Sequence, residues 1–207
     1  MIFNGILCLS LGTVMTVAPP DAFACKPALS MPRHITLSKE NQARFQAYLR
    51  AREREKITQM VCSTGGKPEH AQSLVTAARE FEIDPVLLAA VTFVESGFRP
   101  RAASSKGARG MMQLRPVVLE VLGVTDPWDP HENIMAGAAY LKTCFERYAA
   151  HHNSTYLALA AYNIGPGPVE KLARSDAAER FVRKVLQAYN KWTSVPIPVN
   201  RECAGTR

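Results

Sequence analysis

The sequence lacks the spacings that hold metals. Five cysteines and five histidines occur in 207 residues, yet there is no CxxC, and His34, His70, His131 and the pair His151-His152 stand at no recognisable ligand spacing. Neither a metal nor any other cofactor is expected. Internal repeats and strongly alternating strand patterns are also missing, which leaves a mainly α, single-domain chain as the expected fold class. The basic run "RAREREKITQ" (50–59) contains no interleaved aromatics and mixes both signs at helical spacing. It reads as an exposed helix face, and no nucleic-acid partner is expected.

What is present fits one soluble domain with a real core: 47% hydrophobic and 21% charged residues in a chain of this length. The first residues differ. Ile2 to Val17 is apolar and nearly uncharged, too short for a comfortable membrane span, and Ala22-Phe23-Ala24 has the small-x-small pattern of a signal peptidase site. Residues 1–24 are therefore read as a cleaved export signal, and a periplasmic location is expected. The first five residues carry no Lys or Arg, so an uncleaved membrane anchor stays open, as does a lipoprotein at Cys25. Cleavage removes Asp21 and no base, raising the formal charge from +7 to +8 and suiting the protein to a polyanionic partner. Cys25, Cys62, Cys144 and Cys203 would remain, consistent with one or two disulfides of undetermined pairing.

Helical signals then follow one another. Ser38 can cap a polar helix to about Met60; further helices are expected over about 69–82 and over 85–96, the latter with Asp84 as N-cap and Pro85 in the first turn. "RPRAASSKGARG" (99–110) has no apolar periodicity and is expected to be a Gly/Ser-rich loop with, at most, small strands. Helix resumes at Pro116–Leu122 and again after the N-cap Asp129, with Ile134, Ala138, Leu141 and Phe145 on one face. A helix over about 154–162 should stop at "NIGPGP", and "DAAERFVRKVLQAYNKW" supplies a last amphipathic helix through Phe181, Val185 and Ala188.

One residue departs from this pattern. Glu95 closes an apolar helix, with Val91 one turn before it, Phe93 and Val94 adjacent, and Phe98 just beyond. A carboxyl among such neighbours loses hydration and its pKa rises, to about 6 in comparable pockets, which suits a general acid. A Glu at a helix end can equally well point to water. The residues around it add more: "ESGFRP" (95–100), "SSKGARGMMQL" (104–114), "DPWDPHENIMAG" (126–137) and "ALAAYNIGPGPV" (158–169). In this order and spacing they resemble the catalytic domain of the soluble, goose-lysozyme-like lytic transglycosylases, over about Gln72 to Tyr189.

The resemblance implies a lysozyme-like single catalytic domain acting on peptidoglycan glycan strands, with Glu95 as the one catalytic acid and a 1,6-anhydro product. It implies domains at 1–24 (signal peptide), 25–64 (N-terminal helical extension), 65–190 (transglycosylase domain) and 191–207 (C-terminal tail). Ser104, Gln113, Tyr162 and Asn163 are implied as lining the sugar cleft. Met112, Arg115 and Phe181 are also expected to bind substrate, with core packing ranked first for Met112. Amide and hydroxyl groups suit the acetamido and hydroxyl groups of such a glycan. Arg115 departs from the family's usual residue before the proline. Phe181 stands where the family has Tyr, and a family Glu falls on Ala177 unless a one-residue shift brings in Asp176. Short members of the family suggest an envelope-spanning secretion, conjugation or pilus machine as partner, and a monomer. The alternatives are a lysozyme-like hydrolase, which needs a second carboxylate or an oriented water, and a non-catalytic wall-binding module.

Overall fold

The structure, a computed structural model, describes residues 38–170 and 175–194. The expectations for the signal segment, for Cys25 and Cys203, and for the tail beyond 194 lie outside the described residues. Among these residues eight helices follow in chain order. They are α1 (Lys39–Ser63), α2 (Pro68–Glu80), α3 (Pro85–Ser96), α4 (Pro116–Val121), α5 (Pro130–Arg147), α6 (Ser154–Ile164), α7 (Pro166–Glu170) and α8 (Asp176–Ser194). Among the described residues the β-structure is limited to two isolated bridges, Ala103–Arg109 and Arg109–Leu114, inside the expected Gly/Ser-rich loop.

Local chemistry sets these boundaries. The Ser38 hydroxyl accepts a hydrogen bond from the Asn41 N–H at 3.3 Å, and Asp84 Oδ1 accepts from Val86 and Leu87 at 2.7 and 3.1 Å. α2 uses an unusual device: His70 Nδ1 accepts from the Lys67 N–H at 3.2 Å, standing in for the Glu of a capping box. α6 stops inside "NIGPGP" as expected, at Ile164 with Gly165 as its C-cap, but Pro166, well suited to a first helical turn, opens a short α7 that the sequence reading did not include. α8 includes Trp192, as expected, and continues to Ser194; Trp192 is buried and packs on Phe93 with ring centroids 5.4 Å apart.

α3 is the central helix. Val86, Leu88, Ala89, Ala90 and Val91 are buried, and it packs against α1, α2 and α8. Its buried hydroxyls are satisfied within the helix, Thr92 Oγ1 donating to the Leu88 carbonyl at 2.8 Å and Ser96 Oγ to that of Thr92 at 3.3 Å. α8 fastens its start, the Tyr189 hydroxyl donating to Asp84 Oδ2 at 3.0 Å. α1 contributes only Ile57, Met60 and Val61 to the core and leaves Phe45, Tyr48 and Leu49 exposed.

After α3 the chain reverses through two left-handed residues, Gly97 at φ 61° and Phe98 at φ 60°. The second costs a non-glycine residue energy. Burial of the Phe98 ring, 5.8 Å from Phe93, offsets it. The following loop is tied to α5 by one side chain that the sequence reading did not single out. Asn133 is fully buried; its Oδ1 accepts from the Met112 N–H at 2.8 Å, and its Nδ2 donates to the Arg109 and Pro127 carbonyls at 3.2 and 3.0 Å. Gly110, at φ 80°, lies so close that a Cβ there would strike the Asn133 amide and the Pro127 carbonyl.

Cys62 is disulfide-bonded and Cys144 is a free, buried thiol. Cys144 therefore takes no part in the one or two disulfides that were expected.

Replacing Asn133 with Ala leaves a buried N–H and two carbonyls without partners. A loss of about 2–4 kcal/mol is expected by urea unfolding. Asn133→Asp should be little better, because a carboxylate can accept from Met112 but cannot donate to the two carbonyls.

Candidate active site

The side chain that closes α3 faces a cleft. Glu95 is half-buried, and it lines two hollows that meet at Glu95 and Gln113, the two residues common to both. The first arm, about 530 Å³, runs between the loop and the α6–α8 side and includes Ser104, Arg115, Tyr140, Tyr162, Asn163 and Ala177. The second, about 670 Å³, runs toward the start of α2 and includes Lys67, His70, Arg99 and Arg101.

Burial pushes the Glu95 carboxyl up to about 8, from an ordinary value of 4.5. That is well above the value of about 6 expected from the sequence neighbours, and the reason is an absence. No described residue hydrogen-bonds or ion-pairs with this carboxyl, so nothing offsets its desolvation. Among the described lining residues of both arms it is the only Asp or Glu. The acids of the 126–132 segment serve structure: Asp126 accepts from the Trp128 N–H at 2.9 Å, and Asp129 caps α5 through the Glu132 N–H at 2.7 Å. Glu132 accepts from the backbone of Thr125 and Asp126, and these bonds hold its carboxyl below the usual range.

The remaining expected residues separate into two groups. Ser104, Gln113, Arg115, Tyr162 and Asn163 all line the first arm. Gln113 sits at φ 50°, and its Nε2 is committed to the Ala102 and Gly110 carbonyls at 2.9 and 3.0 Å, leaving Oε1 as the end free for another group. Ser104 Oγ accepts from the Ala108 N–H at 3.0 Å and keeps its own proton to donate. The Tyr162 hydroxyl is likewise engaged, donating to the Met112 carbonyl at 2.9 Å. Burial, aided by the nearby Glu95 charge, pushes its pKa far up. Its ring therefore supplies a wall, with Tyr140 5.3 Å away.

Met112 and Phe181, expected among the substrate-binding residues, are in the core instead. Met112 is fully buried and so close to α5 that Gly137 leaves no room for a Cβ. Phe181 stacks on the far side of Tyr162, with centroids 6.5 Å apart and planes 12° from parallel. Ala177 lines the first arm and Asp176 does not, so the one-residue shift that would bring Asp176 into the cleft is not adopted. Tyr140 was missed by sequence reasoning. Its signal was a polar-tipped aromatic beside the apolar face of Ile134, Ala138 and Leu141, and burial now lifts its hydroxyl to about 12.

The match to known proteins covers these same elements. The transglycosylase SLT domain model matches residues 73–191. Membrane-bound lytic murein transglycosylase F 2 of Alkalilimnicola ehrlichii is 42% identical over 103 residues, which is 48% of this chain and 23% of the relative. The transglycosylase of Enterobacteria phage PRD1 is 39% identical over 134 residues, 65% of this chain and 48% of the phage protein. Among solved structures, an inactive mutant of lytic transglycosylase Slt from Pseudomonas aeruginosa superposes with a TM-score of 0.52 at 28% identity, over 62% of this chain and 25% of that one. The chain thus spans between about a quarter and a half of the length of these relatives. None of the described helices is long and apolar enough to cross a membrane. Since the family model covers more than half of the chain, including the helices that place Glu95 and both walls of its cleft, the chain belongs to the transglycosylase SLT domain family.

Proposed function

We propose that this protein is a peptidoglycan lytic transglycosylase that cleaves the β-1,4 bond between MurNAc and GlcNAc and leaves a 1,6-anhydroMurNAc end. The observation that carries this reading is Glu95: one carboxyl, protonated at neutral pH through burial alone, in a cleft with no second acid among its described residues. Most glycosidases divide the work between two carboxylates. A single acid has to serve twice. Protonated Glu95 gives its proton to the bridging oxygen as the C1–O bond breaks, with the substrate's own acetamido group assisting at C1. The resulting carboxylate takes the proton of the MurNAc 6-hydroxyl as that oxygen bonds to C1 and closes the anhydro ring. The proton count balances, Glu95 ends as it began, and no water is consumed.

The surroundings suit this cycle. A carboxyl titrating near 8 gives up its proton readily only to a group whose basicity grows in the transition state, and its ionised form is basic enough to draw a hydroxyl proton. Gln113 Oε1 and the Ser104 hydroxyl are the acceptor and the donor available for sugar hydroxyl or acetamido groups, while Tyr140, Tyr162 and Asn163 form the opposite wall. The setting is carried over from the family resemblance: an exported monomer opening the wall locally for an envelope-spanning secretion, conjugation or pilus machine.

Incubation of the purified protein with peptidoglycan should release muropeptides lighter by one water than their hydrolysed counterparts, as read by mass spectrometry. Reducing-end products would establish a hydrolase instead. Glu95→Gln should lower this release by about 10²–10⁴-fold.

The pH dependence of kcat/KM should follow the proton on Glu95, falling about tenfold per pH unit above about 8.

Glu95→Gln should move stability the opposite way to function. Between the unfolded value of 4.5 and the folded value of about 8 the native state holds a proton that the unfolded chain has lost, so native stability declines as pH rises through this window. Glu95→Gln removes that decline. In thermal unfolding the mutant should gain on the wild type from about pH 4.5 upward, with the difference levelling off above about 8.

A further inference from the structure

The second arm of the cleft differs in chemistry from the first, and the reaction proposed for Glu95 makes no use of the difference. Lys67, Arg99 and Arg101 line it, all exposed, and Glu95 is the only acid among its described lining residues. Arg101 has no described partner. Arg99 is braced at the end of α3, its Nε donating to the Ser96 carbonyl at 2.7 Å, while its two terminal amino groups have no described partner. Lys67 has only a loose ion pair with Glu69, 3.5 Å long between two well-exposed side chains, of a kind that contributes little.

His70 adds a different kind of donor. It is 2% exposed, its Nδ1 is occupied by the Lys67 N–H, and the proton of the neutral ring therefore sits on Nε2, which has no described partner. Burial holds its pKa below the usual histidine range, so at neutral pH it offers one N–H and no charge. Three unpaired or loosely paired cations beside a ring N–H that is held by its Nδ1 bond and open to solvent form a receptor for a planar anion, and guanidinium groups match a carboxylate in particular. The first arm also holds two cations, Lys106 and Arg115, but sets them among Tyr, Val, Ile and Pro side chains that present surface for sugar rings.

We infer that the Lys67–His70–Arg99–Arg101 arm is a carboxylate subsite, which engages a carboxylate carried by the substrate strand next to the bond that Glu95 cleaves. This rests on the proposed glycan-strand substrate. Two sources of the carboxylate exist in such a strand: the stem peptide, and the lactyl group exposed on MurNAc when the stem is removed. The subsite gives the enzyme a grip on the strand that a plain GlcNAc polymer cannot supply.

The test measures binding in the Glu95→Gln background, so that no ligand is consumed. Three soluble ligands of equal sugar length are compared at low salt: strands with stems, strands stripped by an amidase, and a chitin oligosaccharide without carboxylates. At least one carboxylate-bearing ligand should bind about tenfold or more tightly than the chitin oligosaccharide, and Lys67→Gln with Arg101→Gln should abolish that preference while leaving chitin binding within about twofold. Tight binding of the stripped strands alone assigns the lactyl group, tight binding of stem-bearing strands alone assigns the peptide, and equal binding of both shows that the arm takes either carboxylate. Arg183→Gln, on the distant groove formed with Tyr156 and Leu186, should not alter the preference. Equal affinities for all three ligands, an unchanged preference in the double variant, or an equal loss in Arg183→Gln would overturn the subsite. The reaction is judged separately by the products of the wild type: the preference can persist with no anhydro product, or fail with anhydro product formed.

Discussion

Everything on the loop side of the cleft depends on one buried amide. The segment between α3 and α4 has almost no regular structure, and its two isolated bridges cannot by themselves position Ser104, Gln113 and Arg115 against Glu95. Asn133 does so by working in both directions, accepting from the Met112 N–H and donating to the carbonyls of Arg109 and Pro127. The Met112 carbonyl, held at the same point, receives the Tyr162 hydroxyl. The amide therefore registers three pieces of chain, the loop, the turn before α5 and the wall from α6, in a layer where water cannot substitute for it. Gly110 is small because the amide occupies the space that a side chain would need.

The acid and its support follow opposite rules. Asn133 is polar, buried and fully satisfied; Glu95 is polar, half-buried and unsatisfied. The first arrangement stabilises the native state and the second weakens it. A protein keeps an uncompensated carboxyl only where its altered acidity is useful, which is why strong perturbation by desolvation in a cleft points to function more than an ion-paired shift does. The acids of the 126–132 segment show the contrast: carboxylates that accept backbone N–H groups, as Glu132 does, become weaker bases and good caps.

Most of the helical fold was legible in the sequence because its signals are local. Asp84-Pro85, Asp129-Pro130 and Ser38 each announce a helix start within a few residues, and the caps are formed as read. The stop in "NIGPGP" was read correctly, but α7 was missed because a proline that follows one helix also suits the start of the next. In the site, Glu95 stood out as an acid against apolar neighbours, but the size of its shift was not readable, since it depends on the absence of partners from elements far apart in the chain. Met112 and Phe181 were misplaced for a related reason. A motif marks positions near a site without saying whether a residue faces the cleft or buttresses its wall. Asn133 and Tyr140 gave weak signals, because their roles depend on the loop and on α6.

The bond from Tyr189 to Asp84 joins residues 105 positions apart, and the same last helix brings Ala177 to the cleft, Phe181 behind Tyr162 and Trp192 onto Phe93. A chain made from its N-terminus therefore carries Glu95 well before it carries the helix that completes the shelter around it. Until α8 docks, the cleft lacks Ala177 on one wall, Tyr162 lacks the ring behind it and Phe93 lacks its partner. The order of synthesis is thus also an order of assembly: the helix that carries the acid is made before the last described helix, which completes the cleft around it.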